Sequence, residues 1–109
     1  MITRKLEPTQ WQEYFDRASR RLAGGRAEIE VIGEDIGDQV QADMDLLGLS
    51  YDPHDRALTI AGEPLDHRIS EPQEIYVEED VGKLTSVEVI DQEGHKQLIK
   101  LQATLDLPR

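Results

Sequence analysis

The stretch from Thr9 to Gly25 sets the terms for the rest of the chain. Trp11, Phe15, Ala18 and Leu22 recur at helical spacing and fall on one narrow stripe, with Tyr14 at its edge. Trp11 and Phe15 are the only Trp and the only Phe. One amphipathic helix thus holds most of the large aromatic area, and it needs a partner face to bury it. Gly24-Gly25 marks its end, because glycine enters the left-handed region without a Cβ clash. At its start, Thr9 with Gln12 fits a capping box, and Pro8 is the alternative first helical residue. Glu13 with Arg17 and Asp16 with Arg20 are acid-before-base pairs four apart, directed away from the stripe.

After Gly25 the pattern changes to strict alternation, the signature of half-buried strands. Ala27, Ile29 and Val31 alternate with Glu28 and Glu30. From Gln39 to Leu46 the set Val40, Ala42, Met44 and Leu46 falls on one side. At Leu47-Gly48 the phase shifts, so that Leu47, Leu49 and Tyr51 carry the apolar set; Gly48 suits a bulge or bend there. Asp52-Pro53-His54-Asp55 reads as a turn, followed by a strand with Leu58 and Ile60 inward. Leu65, His67 and Ile69 form a short extended segment, and Pro72 starts the chain afresh before Ile75 and Val77. Leu84–Ile90 pairs with Gln97–Ala103 across Asp91-Gln92-Glu93-Gly94, a hairpin with a glycine placed for a G1 bulge. Residues 1–7 are expected as an extended arm, and Leu105, Leu107 and Pro108 as a tail. The fold class is α+β: one N-terminal amphipathic helix on a twisted antiparallel sheet of six or seven strands, for which a barrel-like curl is one solution.

The 109 residues fit one domain, 1–109, long enough to bury a core without staples. There is no cysteine, which excludes disulfides and thiolate chemistry. No apolar run has the length of a signal sequence core or a membrane span, so the expectation is a soluble cytoplasmic protein. The net charge of −11 opposes binding to nucleic acid and to anionic membranes. That charge is segregated. Residues 1–26 hold six basic and three acidic side chains, whereas residues 27–109 hold six basic and twenty acidic ones. The helical end is mildly basic and the sheet strongly acidic.

The pattern Trp11-x-x-x-Phe15-Asp16-Arg17-x-Ser19-Arg20 resembles the opening signature of a family of small bacterial proteins catalogued as a domain of unknown function. Similar stretches follow. They are Gly33 with Gly37 and Gln39, then Leu47-Gly48-Leu49-Ser50-Tyr51-Asp52-Pro53, then His67-x-Ile69-x-x-Pro72, with a closing hairpin at Asp91-x-x-Gly94. Together they cover most of the chain; the segment Gly24-Gly25-Arg26 is shorter than in those relatives. The resemblance implies a helix followed by an all-antiparallel sheet. It implies no activity.

Candidate chemistry is sparse. His54 sits in a proline turn and His95 in a hairpin loop, both expected to be solvated. His67 lies between Leu65 and Ile69 on the inward face, where it serves either as a hydrogen-bonded core residue or as the wall of a small pocket with Tyr51. No histidine spacing suits zinc, and the acidic runs Glu34-Asp35-Ile36-Gly37-Asp38 and Glu78-Glu79-Asp80 lack the calcium-loop pattern. No nucleophile motif, phosphate loop or cofactor fingerprint is present, so no catalytic residue, metal or cofactor is assigned. Arg17, Arg20 and Arg21 project from the helix opposite the Trp11 stripe and suit a carboxylate-rich protein partner. The balance favours a non-enzymatic interaction or adaptor module, with a binder of a small ligand or cation near His67 as the alternative.

Overall fold

The structure is a computed structural model that describes residues 2–22, 25–35, 37–81 and 83–102. The element order is β1 (Ile2–Leu6), a 3-10 turn (Pro8–Gln10), α1 (Trp11–Leu22), β2 (Arg26–Gly33), β3 (Gly37–Asp52), β4 (Ala57–Glu63), β5 (His67–Ser70), β6 (Glu74–Asp80), β7 (Lys83–Ile90) and β8 (Lys96–Gln102). The class is α+β, as expected. The described strands number eight, in one antiparallel sheet of order β1-β6-β7-β8-β2-β3-β4-β5. The sheet is open rather than a closed barrel. Its edges are β1 and β5, which do not pair with each other.

The extra strand is the segment expected as an arm. β1 pairs with β6, Leu6 opposite Ile75 and Arg4 opposite Val77. Only Leu6 of its five residues is buried, so no alternation announces it. The chain then turns through Pro8, the first residue of the 3-10 turn, and the Gln10 side chain accepts the Glu7 N–H at 3.1 Å. This replaces the Thr9 and Gln12 capping pair. The helix runs from Trp11 to Leu22, and its expected glycine stop at Gly24 lies outside the described residues.

The helix packs mainly on β3 and covers the concave face of the sheet. Phe15 and Trp11 are buried, and the Trp11 indole meets the Tyr51 ring edge-on at 5.1 Å. Inward residues from every strand complete one core, among them Ile29, Met44, Leu58, Ile60, Ile75, Val87 and Ile99. Two contacts fix the helix laterally. On one flank the Tyr14 hydroxyl donates to Glu79 of β6, with Arg4 of β1 over the ring. On the other, Ser19 Oγ accepts the Leu49 N–H at 3.1 Å. That approach requires Gly48, because a Cβ there would lie 2.5 Å from Ser19 Oγ.

Three bulges set the inward faces. The register slips between Ile29 and Glu30, opposite Gln41; between Leu46 and Gly48; and between Glu78 and Glu79. The second is the bend expected at Gly48. It ejects Leu47, which is 54% exposed, while Leu49 and Tyr51 turn inward. The first reverses the phase ahead of Ala42, so that Val40 shares the outer face with Glu30 and is 61% exposed. Val40 and Leu47 thus stand on the solvent side, against the alternation read from sequence. Leu65 is also exposed, whereas Ile69 is buried. The β7–β8 hairpin forms as expected, with Gly94 at φ 84° and Asp91 N–H bonded to the His95 carbonyl at 2.9 Å. Ala103 and the tail residues Leu105, Leu107 and Pro108 lie outside the described residues.

Candidate functional site

Two of the places where distant parts of the chain bring polar side chains together bear on a site. The first lies where the sheet curls on itself. His67 of β5 is opposite Ile60 in β4, which fixes its side chain on the concave face. There the ring Nε2 meets Gln97 Oε1 of β8 at 2.8 Å. The Gln97 amide donates in turn to Asp91 Oδ2 at 2.9 Å. Asp91 is 6% exposed, and its Oδ1 accepts the backbone N–H groups of Glu93 (3.0 Å) and His95 (2.9 Å). Both oxygens of the buried Asp91 carboxylate are thereby paired, which is what burial of such a group demands. The arrangement clasps the edge strand β5 to the β7–β8 hairpin. Gln73 reinforces it by donating its N–H to the Ile90 carbonyl at 2.8 Å.

Asp91, Glu93 and His95 lie close enough for one metal ion. The Asp91 oxygens already accept backbone and amide hydrogens, and His95 Nε2 faces Asp35 at 2.9 Å. The donor set is therefore committed to shaping the turn and pinning it to the β2–β3 loop. His95 is half-buried rather than solvated, whereas His54 is exposed, with its ring against Asp55 and its N–H donated to Asp52.

The second place is a shallow groove of about 360 Å³ between α1 and β3, lined by Asp16, Ser19, Arg20, Leu49 and Ser50. Ser19 Oγ and Leu49 form its floor through their hydrogen bond, and Arg20 stands at its lip on the exposed helix face. One turn earlier, Arg17 pairs with Glu13 at 3.3 Å and stays exposed. Among the described residues Arg20 forms no ion pair, with Asp16 or otherwise, and it is exposed at the groove.

The comparisons with known proteins bear on the whole chain. A family model described as "Family of unknown function (DUF5335)" matches residues 2–109. The chain belongs to this family. It is 43% identical to an uncharacterised protein of the bacterium Aquifex aeolicus (strain VF5), over 99% of each chain. No solved structure matches.

Among the residues singled out from sequence in this DUF5335 chain, His67 and Tyr51 share the concave face but serve different contacts. Tyr51 is buried against Trp11, and burial above all pushes its hydroxyl pKa up. His67 is half-buried and bonded to Gln97. Arg17 and Arg20 lie on the solvent face of α1, and the Arg21 side chain is outside the described residues. Sequence reasoning missed the carboxyl pair on the outer face of the sheet. Asp38 is held above the usual range by its hydrogen bond to Glu30, and that same bond, with Lys100 at 2.9 Å, holds Glu30 below it. Only the bulge opposite Gln41 brings both groups to one face, and no local spacing signals it.

Proposed function

We propose that this protein is an interaction module that works through its outer surfaces. The observation that carries the reading is Arg20, a cation on the exposed helix face at the lip of the α1–β3 groove, with Arg17 beside it. A guanidinium beside a polar groove receives a carboxylate with directional hydrogen bonds. The outer face of the sheet carries the opposite charge, through Glu28, Glu30, Asp43, Asp45, Glu78 and Glu88. Such segregation orients an approaching partner and speeds encounter. The concave face is occupied by Trp11, Phe15 and the strands' own side chains, with His67 engaged by Gln97. The partner expected at the helix is a protein with an acidic patch, and a net charge of −11 argues against nucleic acid.

The test reverses Arg17 and Arg20 to Glu. Circular dichroism should leave the fold unchanged, since both side chains are exposed. Recovery of specific partners from a native lysate should fall by about tenfold, the effect of roughly 1.4 kcal/mol in binding. Identical partner sets for the wild type and the double variant would refute the reading.

A further inference from the structure

Two opposite charges on one flank of the helix stand open beside a groove. Asp16 and Arg20 are one turn apart on α1 and line the α1–β3 groove with Ser19, Leu49 and Ser50. Acid before base and four residues apart, they have the spacing that closes Glu13 onto Arg17 at 3.3 Å. Asp16 does not close onto Arg20. Its side chain is one methylene shorter than that of Glu13, so its carboxylate falls short of the guanidinium. Among the described residues, neither side chain has an ion-pair or hydrogen-bond partner, and both are exposed. The hydroxyls beside them are also incompletely used. Ser19 Oγ accepts the Leu49 N–H at 3.1 Å, which leaves its own O–H to donate. Ser50 stands opposite on β3 and is exposed.

The rise of the helix separates the two charged positions by about 6 Å. An extended segment brings side chains to one face at every second residue, about 6.6 Å apart. The two repeats match, so an acidic and a basic side chain two residues apart meet both groups at once. The carboxylate takes the Arg20 guanidinium, with the Ser19 hydroxyl able to donate to it. The ammonium or guanidinium takes the Asp16 carboxylate. A uniformly acidic segment does less well. Its second carboxylate faces Asp16, and residues 27–109, with twenty acidic against six basic side chains, repel it at longer range. A uniformly basic segment sets a cation against Arg20. The groove is shallow, which suits a segment laid across it better than an enclosed small molecule. We infer that the α1–β3 groove is a docking site for an extended segment of another protein that carries an acidic and a basic side chain at alternate positions. The inference rests on the reading of the protein as an interaction module and narrows it: the partner's acidic patch carries a cation beside its carboxylate. No ion pair of Asp16 or Arg20 has to break before docking, which keeps the cost of association low.

The probes are the blocked synthetic peptides Thr-Glu-Thr-Lys-Thr, Thr-Glu-Thr-Gln-Thr and Thr-Gln-Thr-Lys-Thr, whose threonines favour an extended chain. Each is titrated into isotope-labelled protein while backbone amide and arginine side-chain shifts are followed. The expected result is saturable binding of the first peptide, with shifts centred on residues 16–20 and 48–50. It should bind about threefold more tightly than either singly charged peptide, the size of one exposed ion pair. In Asp16→Asn the advantage given by lysine should vanish while that given by glutamate stays, and in Arg20→Gln the converse should hold. Should either variant fold poorly, the peptides on the wild-type protein decide alone. Absent binding, equal binding of the first two peptides, or shifts confined elsewhere would overturn the inference. The two readings fail separately. Lysate capture that depends on Arg17 and Arg20, together with peptides indifferent to lysine, leaves the module reading standing and removes this one. Identical partner sets in the lysate remove the module reading whatever the peptides do.

Discussion

Replacing Gly48 by alanine tests how the helix is seated on the sheet. The added Cβ would lie 2.5 Å from Ser19 Oγ, well inside contact distance, while Ser19 Cβ stays at 3.8 Å. The least costly relief is rotation of the Ser19 hydroxyl, which abandons the 3.1 Å hydrogen bond from the Leu49 N–H. Leu49 is 2% exposed, so that N–H is left without a good substitute. An unsatisfied buried donor costs about 1–3 kcal/mol. Ser19→Ala removes the same acceptor and should cost a similar amount. Because both substitutions break one bond, the double variant should be little worse than either single. The coupling energy should then be about 1–3 kcal/mol, equal to the single loss, rather than near zero as for independent sites. Urea unfolding of the four proteins, with the denaturant slope held constant, measures it. Additive losses would show that Gly48 tolerates a side chain without disturbing Ser19, and the account of the helix contact would fail.

Two further outcomes follow from the core and the helix flank. Trp11→Ala should lower stability by about 3–5 kcal/mol, because it empties a site 5% exposed and removes the edge-on contact with Tyr51; a shift in denaturant midpoint worth less than about 1 kcal/mol would contradict it. Burial first, and then the hydrogen bond to Glu79, push the Tyr14 hydroxyl well above the ordinary tyrosine range. The folded state therefore keeps a proton that the unfolded state releases above about pH 10, so stability is full below that pH and declines as pH rises through it. Tyr14→Phe should flatten this alkaline slope, and an unchanged slope would remove Tyr14 as its source.

The sequence announces those parts of the fold in which burial follows a local period. The Trp11–Phe15–Ala18 stripe and the Leu84–Ile90 hairpin partner are legible because each residue's environment is set by its near neighbours. β1 is not, since an edge strand with one buried residue has no apolar alternation to display. Val40 and Leu47 mislead because a bulge reverses the phase between neighbouring apolar residues, and only the Leu47 bulge has a glycine beside it as a signal. The His67–Gln97–Asp91 chain is illegible for a different reason. β5 and β8 are four places apart in the sheet order, so only its curl brings the side chains together. The inward orientation of His67 can be read from Ile69, but its partner cannot. The Glu30–Asp38 pair likewise depends on the register of β2 against β3.

The account holds that this protein acts through its outer surfaces, with the concave face given over to the core. Photo-crosslinking in cells tests this most directly, with a photoreactive residue placed singly at Arg17, Val40, Leu65 or His67. Positions 17 and 40 stand on the outer helix and sheet faces, and positions 65 and 67 lie at β5 beside the curl. The account predicts discrete crosslinked partners from 17 and 40, and none in common with 65 or 67. Partners captured only from 65 or 67 would place the working site at the clasp around His67 and contradict it.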